Sequence, residues 1–283
     1  MKKIEIVSSV NDKVLNVVSR NDISYNLANK LLRQKDIRIN NKKISENVSV
    51  RVGDLITYFI PDENPKENSV DITFENEFLI VVNKPKGIEV DSEGNNLLKK
   101  LKNFKKDDNI FALNRLDRNT EGLTLFAKGK NNFEELKKAM KNGQVQKHYL
   151  AEVVGVPSWN NKSVVSYLLK DEDKSEVQIL DFPKKDATKI ETHFQVISRS
   201  SGGTSVIEAS IKNGKTHQIR AQLAHIGYAI VGDGKYGKNQ DNKKFKTKTQ
   251  KLTCFKLEFN FTKEKFKQMN DENIEIKPTW MKI

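Results

Sequence analysis

The sequence predicts an α+β fold class, in which a mixed, mainly antiparallel sheet forms a larger domain and a small α+β domain precedes it. Strand-like runs such as residues 78–82 and the alternating residues 192–196 recur along the chain. The strand–helix–strand spacings of a doubly wound parallel sheet are too few. A polar stretch with two prolines at residues 61–69 predicts a linker. The predicted domains are therefore 1–60 and 70–283.

Composition narrows the class of protein. Hydrophobic residues make up 36% and charged residues 31% of the 283 residues, enough apolar material for a folded core. No apolar run approaches the ~18 residues of a membrane span, and the first residues lack a signal-peptide core. We therefore expect a cytoplasmic protein without a membrane partner. Cys254 is the single cysteine, which excludes an internal disulfide and a thiolate-rich zinc site, and it is expected to be buried.

The chain is strongly basic. Lysine and arginine number 50 against 37 acidic residues, which gives a net charge of +13 and a sequence pI of about 9.5. This excess favours a polyanionic partner, although a lysine-rich solvated surface would give the same count. Residues 238–251 carry six lysines and one aspartate. This segment is predicted to be a loop, which is either solvated or in contact with RNA.

Basic residues are dense in the predicted small domain. A helix with Leu27 and Leu31 on one face is expected after Ser24 as its cap, and Asn40 and Asn41 suit a tight turn between short strands. The runs LLRQKDIRIN at 31–40 and VGD at 52–54 resemble the alpha-L RNA-binding domain. An ordinary charged face is the alternative. The candidate RNA-binding residues of this domain are Lys30, Arg33, Lys35, Arg38, Lys42 and Lys43.

The run NRLDRNTEG at residues 114–122 places an acidic side chain between two arginines. It lies between apolar runs, so Asp117 is predicted to lie in a loop between strands, flanked by Arg115 and Arg118. Nearby cations hold a carboxylate ionised, and an ionised carboxylate can act as a nucleophile or a base. A salt-bridged structural aspartate in a turn is the alternative.

Residues 214–227 predict a helix, because their apolar residues recur at the spacing of a buried face. His217 and Arg220 lie three residues apart and are expected to project toward a common point. There Arg220 could pair with Asp117 or hold a phosphate. The alternative is a helix with a solvated polar face. No His-x-x-x-His spacing and no second cysteine occur, so no metal site is predicted.

A third informative stretch is QKHYLAEVVG at residues 146–155, which is strand-like from His148. Tyr149 offers an aromatic face on which a base could stack and a hydroxyl at its edge. A tyrosine in the hydrophobic core is the alternative.

Together these stretches resemble the RluA-type pseudouridine synthases, from about residue 72 to residue 237. VVNKPKG at 81–87 is similar to the family's opening lysine–proline turn, and RLDRNTEG at 115–122 to the loop of its catalytic aspartate. KHYLA at 147–151 and GKTHQIR at 214–220 resemble the segments that carry its base-stacking tyrosine and its active-site arginine. The four motifs occur in the family's order.

The resemblance implies the pseudouridine synthase fold and an isomerase that detaches uracil from its ribose, rotates it and rejoins it through carbon 5. It implies Asp117 as the catalytic carboxylate, Tyr149 stacked on a flipped uracil, and Arg220 as the partner of Asp117. It implies no metal, nucleotide or redox cofactor. The expected RNA contacts of this domain are Arg115, Arg118, Lys215 and His217.

Three positions depart from the family pattern. Asn114 stands where histidine is usual, Glu121 where serine is common, and Lys215 where arginine is usual. None of these departures removes the aspartate, the tyrosine or the arginine. They affect the expected geometry of the loop and the expected affinity for RNA.

The two-domain arrangement resembles family members that modify large-subunit ribosomal RNA, so this RNA is the expected partner. A transfer-RNA uridine is the second candidate substrate. From a different class, a non-catalytic RNA-binding factor of ribosome assembly is the third candidate. A monomer is the default expectation for the oligomeric state.

Overall fold

A computed structural model describes residues 2–21, 23, 25–60, 69–171, 176–247 and 249–281. The chain divides into two compact units, Met1–Ser69 and Val70–Ile283. Residues 61–68 of the predicted linker lie outside the described residues, as does Ser24, the predicted helix cap. Among the helices that the structure describes, none has the length and apolar character needed to cross a membrane.

The small unit combines an antiparallel sheet with two helices. Val18 and Leu31 of the helices are buried together with Ile56 of the sheet. Asn40 and Asn41 have φ of +48° and +67°, as predicted for the tight turn, because asparagine tolerates this left-handed conformation. The elements are β1 (Lys2–Val7), β2 (Asp12–Lys13), α1 (Val14–Ser19), α2 (Tyr25–Arg33), β3 (Ile37–Ile39), β4 (Lys42–Lys43), β5 (Ser49–Val50) and β6 (Leu55–Ile60). The main sheet has the order β1-β6-β3-β4, and β2 pairs with β5.

The large unit is organised around one eleven-stranded sheet. Its strands are β7 (Ile72–Glu75), β8 (Leu79–Lys84), β9 (Ile110–Ala112), β10 (Glu121–Lys128), β11 (Val145–Val154), β12 (Asn161–Asp171), β13 (Glu176–Leu180), β14 (Thr188–Arg199), β15 (Thr204–Ile211), β16 (Leu252–Phe259) and β17 (Ile274–Glu275). The order is β13-β12-β14-β15-β11-β16-β10-β8-β7, with β17 beside β16 and β9 beside β10. Within the described ranges, every pair in this sheet is antiparallel except β10 with β16. The predicted α+β class with a mainly antiparallel sheet is confirmed.

The helices of the large unit differ from the prediction at two places. They are α3 (Leu97–Lys105), α4 (Lys130–Lys141), α5 (Gln218–His225), α6 (Asn239–Lys244) and α7 (Glu264–Lys267), which a 3-10 turn at Gln268–Asp271 follows. The helix predicted at 214–227 begins only at Gln218, because His217 has a φ of +54°, which a right-handed helix cannot contain. The loop predicted at 238–251 was wrong for Asn239–Lys244, which form α6.

Strand β16 joins the two halves of the sheet. Cys254 pairs with Tyr149 on the antiparallel side and with Gly122 on the parallel side. As predicted, Cys254 is fully buried. Gly122 has a φ of +117°, and a Cβ atom there would lie 2.2 Å from the Cys254 carbonyl oxygen. Only glycine allows this approach, which fixes the start of β10 and the loop that precedes it.

Candidate active site

Asp117 lies in the loop between β9 and β10, as predicted. The loop is held at both ends: Asn114 Oδ1 accepts a hydrogen bond from Leu125 N at 2.7 Å, and Thr120 N donates to Asp117 O at 3.0 Å. Leu116 is buried in the core. The Asp117 side chain stays 25% exposed. The carboxylate is therefore reachable from solvent on a loop whose backbone is fixed.

Arg220 of α5 joins Asp117 to a second carboxylate. Its Nη1 donates to Asp117 Oδ2 at 2.7 Å, and its Nε and Nη2 donate to Asp233 Oδ2 and Oδ1 at 2.7 and 3.0 Å. Both Arg220 and Asp233 are buried. Burial alone would lower the pKa of Arg220, but the hydrogen bonds and charges of Asp233 and Asp117 raise it above its usual value. The guanidinium is thus a fixed cation against the Asp117 carboxylate.

Asp233 is itself fixed by the turn that follows Gly232. Its Oδ1 accepts hydrogen bonds from Lys235 N at 2.9 Å and from Tyr236 N at 3.1 Å. Burial would raise the pKa of Asp233, but the hydrogen bond and charge of Arg220 outweigh it and lower that pKa. The carboxylate is therefore ionised at neutral pH and cannot rotate without breaking bonds to backbone and guanidinium.

His217 lies beside Asp117, in the turn before α5. Its Nε2 is 3.8 Å from Asp117 Oδ2, and its Nδ1 is 2.9 Å from Tyr236 Oη. Burial lowers the pKa of His217 below 6.5, despite the opposing charge of Asp117. Because Tyr236 Oη already accepts from Val177 N at 2.9 Å, its own hydrogen can go to Nδ1. This pairing favours a neutral imidazole with its hydrogen on Nε2, toward Asp117.

Tyr149 on β11 completes the group. It is 6% exposed, and it is the cross-strand partner of Cys254. Burial, with smaller contributions from Cys254 and from the charge of Asp117, raises the pKa of Tyr149 well above 10. The phenol therefore keeps its proton at neutral pH.

Lys84 connects the lysine–proline turn to the Asp117 loop. Its side chain is fully buried, and Nζ donates to the carbonyl oxygens of Pro85, Ile88 and Arg118 at 2.9, 2.8 and 3.1 Å. Burial lowers the pKa of Lys84 to about 8, against the attraction of nearby carboxylates that include Asp117. This amine ties the residue after Asp117 to a separate part of the chain.

Glu121, at the start of β10, occupies one of the three positions that depart from the family pattern. It is buried, and it accepts hydrogen bonds from Thr253 Oγ1 at 2.8 Å, Thr279 N at 3.0 Å and Thr279 Oγ1 at 2.7 Å. Trp280 Nε1 donates to Thr253 Oγ1 at 2.8 Å. The larger acidic side chain is accommodated because residues 253 and 279 supply donors for it.

The predicted RNA-binding residues are exposed on the surface, except for His217 and Arg38, which are half-buried. Arg115 is exposed and pairs with Asp91 at 3.1 Å, and Arg118 is exposed with Nε donating to Gly87 O at 3.1 Å. His217 is half-buried beside the Asp117 carboxylate. In the small unit, Arg38 is half-buried, with its guanidinium 5.0 Å from the centre of the Phe59 ring. Six other predicted residues are exposed and have no such contact with any residue that the structure describes, namely Lys30, Arg33, Lys35, Lys42, Lys43 and Lys215.

The sequence predicted Asp117, Tyr149 and Arg220 as residues of one site. It did not predict that Lys84, Asp233 and Tyr236 also belong to that site. An aspartate in the glycine-rich turn shortly after the arginine helix was the available signal for Asp233. No signal in the sequence shows that the Lys84 amine is buried, because the pattern of a strand end suits an exposed lysine equally. In the described part of the chain, no group of three or more His, Cys, Asp or Glu side chains is arranged to hold a metal ion.

The known proteins that this chain resembles are RNA pseudouridine synthases. Residues 78–225 match the model of the family described as RNA pseudouridylate synthase. Three relatives carry the name ribosomal large subunit pseudouridine synthase C. The one from Buchnera aphidicola subsp. Schizaphis graminum is 27% identical, over 89% of this chain and 86% of the relative. The one from Buchnera aphidicola subsp. Baizongia pistaciae is 30% identical, over 76% and 73%. The one from Vibrio parahaemolyticus is 28% identical, over 90% and 84%.

Two solved structures share the fold. Human RNA pseudouridylate synthase domain containing 1 has a TM-score of 0.61 at 20% identity, over 77% of this chain and 85% of that chain. Human RNA pseudouridylate synthase domain containing 4 has a TM-score of 0.60 at 20% identity, over 74% and 88%. At this identity the likeness concerns the fold alone.

Proposed function

This chain belongs to the RNA pseudouridylate synthase family and is an RNA pseudouridine synthase, and from that premise we propose that it modifies a uridine of large-subunit ribosomal RNA with Asp117 as the reacting carboxylate. The names of the relatives support this substrate. The single observation that supports the role of Asp117 is its 2.7 Å hydrogen bond from buried Arg220, combined with a side chain that is still reachable from solvent.

The reaction conserves every atom of the uridine except one exchanged hydrogen. The bond from N1 of uracil to C1′ of ribose breaks, the bond from C5 to C1′ forms, the hydrogen of C5 leaves to solvent, and N1 gains a proton. Asp117 acts as a nucleophile at the ribose, as a nucleophile at the ring, or as a base toward a sugar proton. All three routes begin from the ionised carboxylate, which the guanidinium of Arg220 stabilises.

The target uridine must leave its stack before the glycosidic bond is accessible, because that bond is covered in a helix. The Tyr149 ring then stacks on the flipped uracil, a role that is supported by the effect of the Asp117 charge on the pKa of Tyr149. Its protonated phenol can donate a hydrogen bond, and it can take the C5 hydrogen only if its own proton leaves at the same time. Arg220 orients the carboxylate, and Asp233 holds Arg220.

The small unit is proposed to be the alpha-L RNA-binding domain predicted at residues 1–60. Its exposed basic residues would add affinity through phosphates, which position the enzyme without specifying a base. The larger domain, predicted at 70–283, would select the uridine. We further expect a monomer that acts in the cytoplasm without a bound cofactor.

The test uses large-subunit ribosomal RNA transcribed with tritium at C5 of uridine. Wild-type protein should release tritium, whereas Asp117→Ala should release none and still bind the RNA within a few-fold. Release by Asp117→Ala at the wild-type rate would overturn the role of Asp117. Tritium release from transfer RNA but not from ribosomal RNA would identify transfer RNA as the substrate in place of ribosomal RNA. Binding without tritium release from either RNA would favour a non-catalytic assembly factor.

A further inference from the structure

The lysine-rich segment at residues 238–251 touches the candidate active site at two places. Its first part forms α6 (Asn239–Lys244), and its last residues lead into β16. We define it as the basic segment. Neither the reaction described above nor the small unit requires it.

The first anchor of the basic segment is the side chain of Asn242. Its Oδ1 accepts a hydrogen bond from Gly232 N at 2.8 Å, and its Nδ2 donates to Asp233 O at 3.1 Å. Asn242 therefore fixes the backbone on both sides of the peptide bond that leads into Asp233. Asp233 binds the guanidinium of Arg220, and that guanidinium contacts Asp117. The Asn242 amide is therefore connected to the reacting carboxylate through two intervening residues.

The backbone of the basic segment also packs closely against the turn at Gly232. Gly232 has a φ of +84°, and a Cβ atom there would lie 2.1 Å from the Thr249 carbonyl oxygen. The turn and the segment thus approach too closely for any residue with a side chain at position 232. The contact places the end of the basic segment directly on the Asp233 turn.

The second anchor is Gln250, which is 3% exposed. Its Nε2 donates to Thr120 Oγ1 at 2.6 Å, and Thr120 N donates to Asp117 O at 3.0 Å. The basic segment therefore contacts both halves of the site, the Arg220–Asp233 pair through Asn242 and the Asp117 loop through Gln250.

Between the two anchors lie Lys243, Lys244 and Lys246, all exposed. None of the three pairs with a carboxylate among the residues that the structure describes. Three uncompensated cations next to a site that receives a flipped uridine are placed to meet the phosphates on either side of that uridine. Phosphate neutralisation of this kind supplies sequence-independent affinity for RNA.

We propose that the basic segment is a second RNA-binding surface that also positions the active site. Lys243, Lys244 and Lys246 bind phosphates that flank the target uridine, and Asn242 is a positioning residue that keeps Asp233 and Arg220 aligned with Asp117. The proposal rests on the proposed function, because the phosphates belong to the RNA that the enzyme modifies.

The first experiment separates positioning from binding. Asn242→Ala should lower kcat by about tenfold, which is ~1.4 kcal/mol of activation free energy, with KM for the tritiated RNA unchanged within about twofold. The assay is run well below the unfolding midpoint of each variant, so that loss of folded protein does not contribute. Asn239→Ala, an exposed change in the same helix, should keep the wild-type kcat. A wild-type kcat for Asn242→Ala would overturn the positioning role.

The second experiment tests the phosphate contacts and does not depend on Asn242. The triple change of Lys243, Lys244 and Lys246 to Ala should raise Kd and KM and reduce the slope of log Kd against log salt by about 2 for single-stranded contacts. The matched control removes the same charge from α4, by changing Lys130, Lys138 and Lys141 to Ala, all of them exposed. An equal loss in the control, or a wild-type slope in the test variant, would overturn the RNA-binding surface.

The two proposals fail in different ways. If the wild-type protein releases no tritium, the proposed function fails, and the salt slope of binding still reports on the three lysines. If the wild type releases tritium and the Asn242 and lysine variants match it in kcat, KM and salt slope, only the inference about the basic segment fails.

Discussion

Asp233 binds the Nε and Nη2 edge of Arg220 with hydrogen bonds of 2.7 and 3.0 Å, and so leaves Nη1 as the nitrogen that faces Asp117. A guanidinium presents a planar fork, so a carboxylate that occupies one edge fixes the direction of the remaining donor. The geometry of the Asp117 carboxylate therefore depends on a residue that does not touch it.

We expect Asp233→Asn to destabilise the protein and to lower turnover. The change leaves the buried Arg220 without one of its two carboxylates, and removing one partner of a buried ion pair costs about 3 kcal/mol. Urea unfolding of wild type and variant measures this loss. Asp186→Asn, at an exposed position with φ of +65° that asparagine tolerates, is the matched control. Equal midpoints for the Asp233 variant and the wild type would contradict the argument.

Tyr149→Phe should separate stacking from the chemistry of the hydroxyl. The variant keeps the ring, so RNA binding should stay within a few-fold, whereas turnover should fall by about 100-fold if the phenol takes part in proton transfer. Single-turnover tritium release measures the rate, and Tyr167→Phe on β12 is the control. Wild-type release by Tyr149→Phe would restrict this residue to stacking.

Lys84 should give the stability of the protein a dependence on pH. Burial lowers its pKa from 10.5 to about 8 in the folded state, so between these values the unfolded state binds more protons than the folded state. The free energy of unfolding that is due to Lys84 therefore rises with pH through this window, by up to about 3 kcal/mol. Urea unfolding of wild type and Lys84→Met at pH 7.5 and pH 10 tests this dependence. The lower value is about half a unit below the folded-state pKa, and the higher value is about half a unit below the unfolded-state pKa.

In that experiment, the wild type should gain stability relative to Lys84→Met as pH rises. Lys99→Met, at an exposed position of α3, should differ from wild type by the same amount at both values. A difference between wild type and Lys84→Met that does not change with pH would contradict the shifted pKa.

Glu121→Ser should lower the free energy of unfolding by about 2 kcal/mol, because serine is too short to accept the hydrogen bonds of both Thr253 and Thr279. Urea titration is the measurement. Glu191→Ser, an exposed change on β14, supplies the control and should stay within about 0.5 kcal/mol of wild type. A variant as stable as the wild type would show that water or a shift of Thr279 replaces the carboxylate.

The small unit should contribute to RNA affinity through charge. Changing Lys30, Arg33 and Lys35 to Ala removes three exposed cations of α2 and the turn after it, so the slope of log Kd against log salt should fall by about 2. The turnover of bound RNA should not change. Filter binding at several salt concentrations measures the slope, and the α4 triple change serves again as the charge control. An unchanged slope would place the contacts elsewhere.

The sequence was sufficient to predict the fold class and the pairing of Arg220 with Asp117. An alternation of apolar and polar residues indicates which side chains of a strand are buried. The short motifs around Asp117, Tyr149 and Arg220 are specific enough to predict that they belong to one site. The turn at Asn40 and Asn41 was predictable because asparagine tolerates the left-handed conformation that both residues adopt.

Contacts between distant parts of the chain were not predictable in the same way. The start of α5 depends on the conformation of His217, which its contacts with Tyr236 and Asp117 hold in place. The helix at residues 239–244 depends on Asn242 and the Asp233 turn, and a lysine-rich composition alone favours a loop. The Lys84 amine is also held by the Arg118 carbonyl, which lies on a loop 34 residues further along the chain.

The pairing of β10 with β16 has a consequence for the order of events during synthesis. Glu121 and Thr253 are separated by 132 residues, so a growing chain carries the Asp117 loop long before its neighbour in the sheet exists. Until residues 252–259 have left the ribosome, β10 and β11 belong to separate pieces that no strand connects. Because domains generally fold as units, the two parts of the sheet that carry Asp117 and Tyr149 are joined only once residues 252–259 have been synthesised.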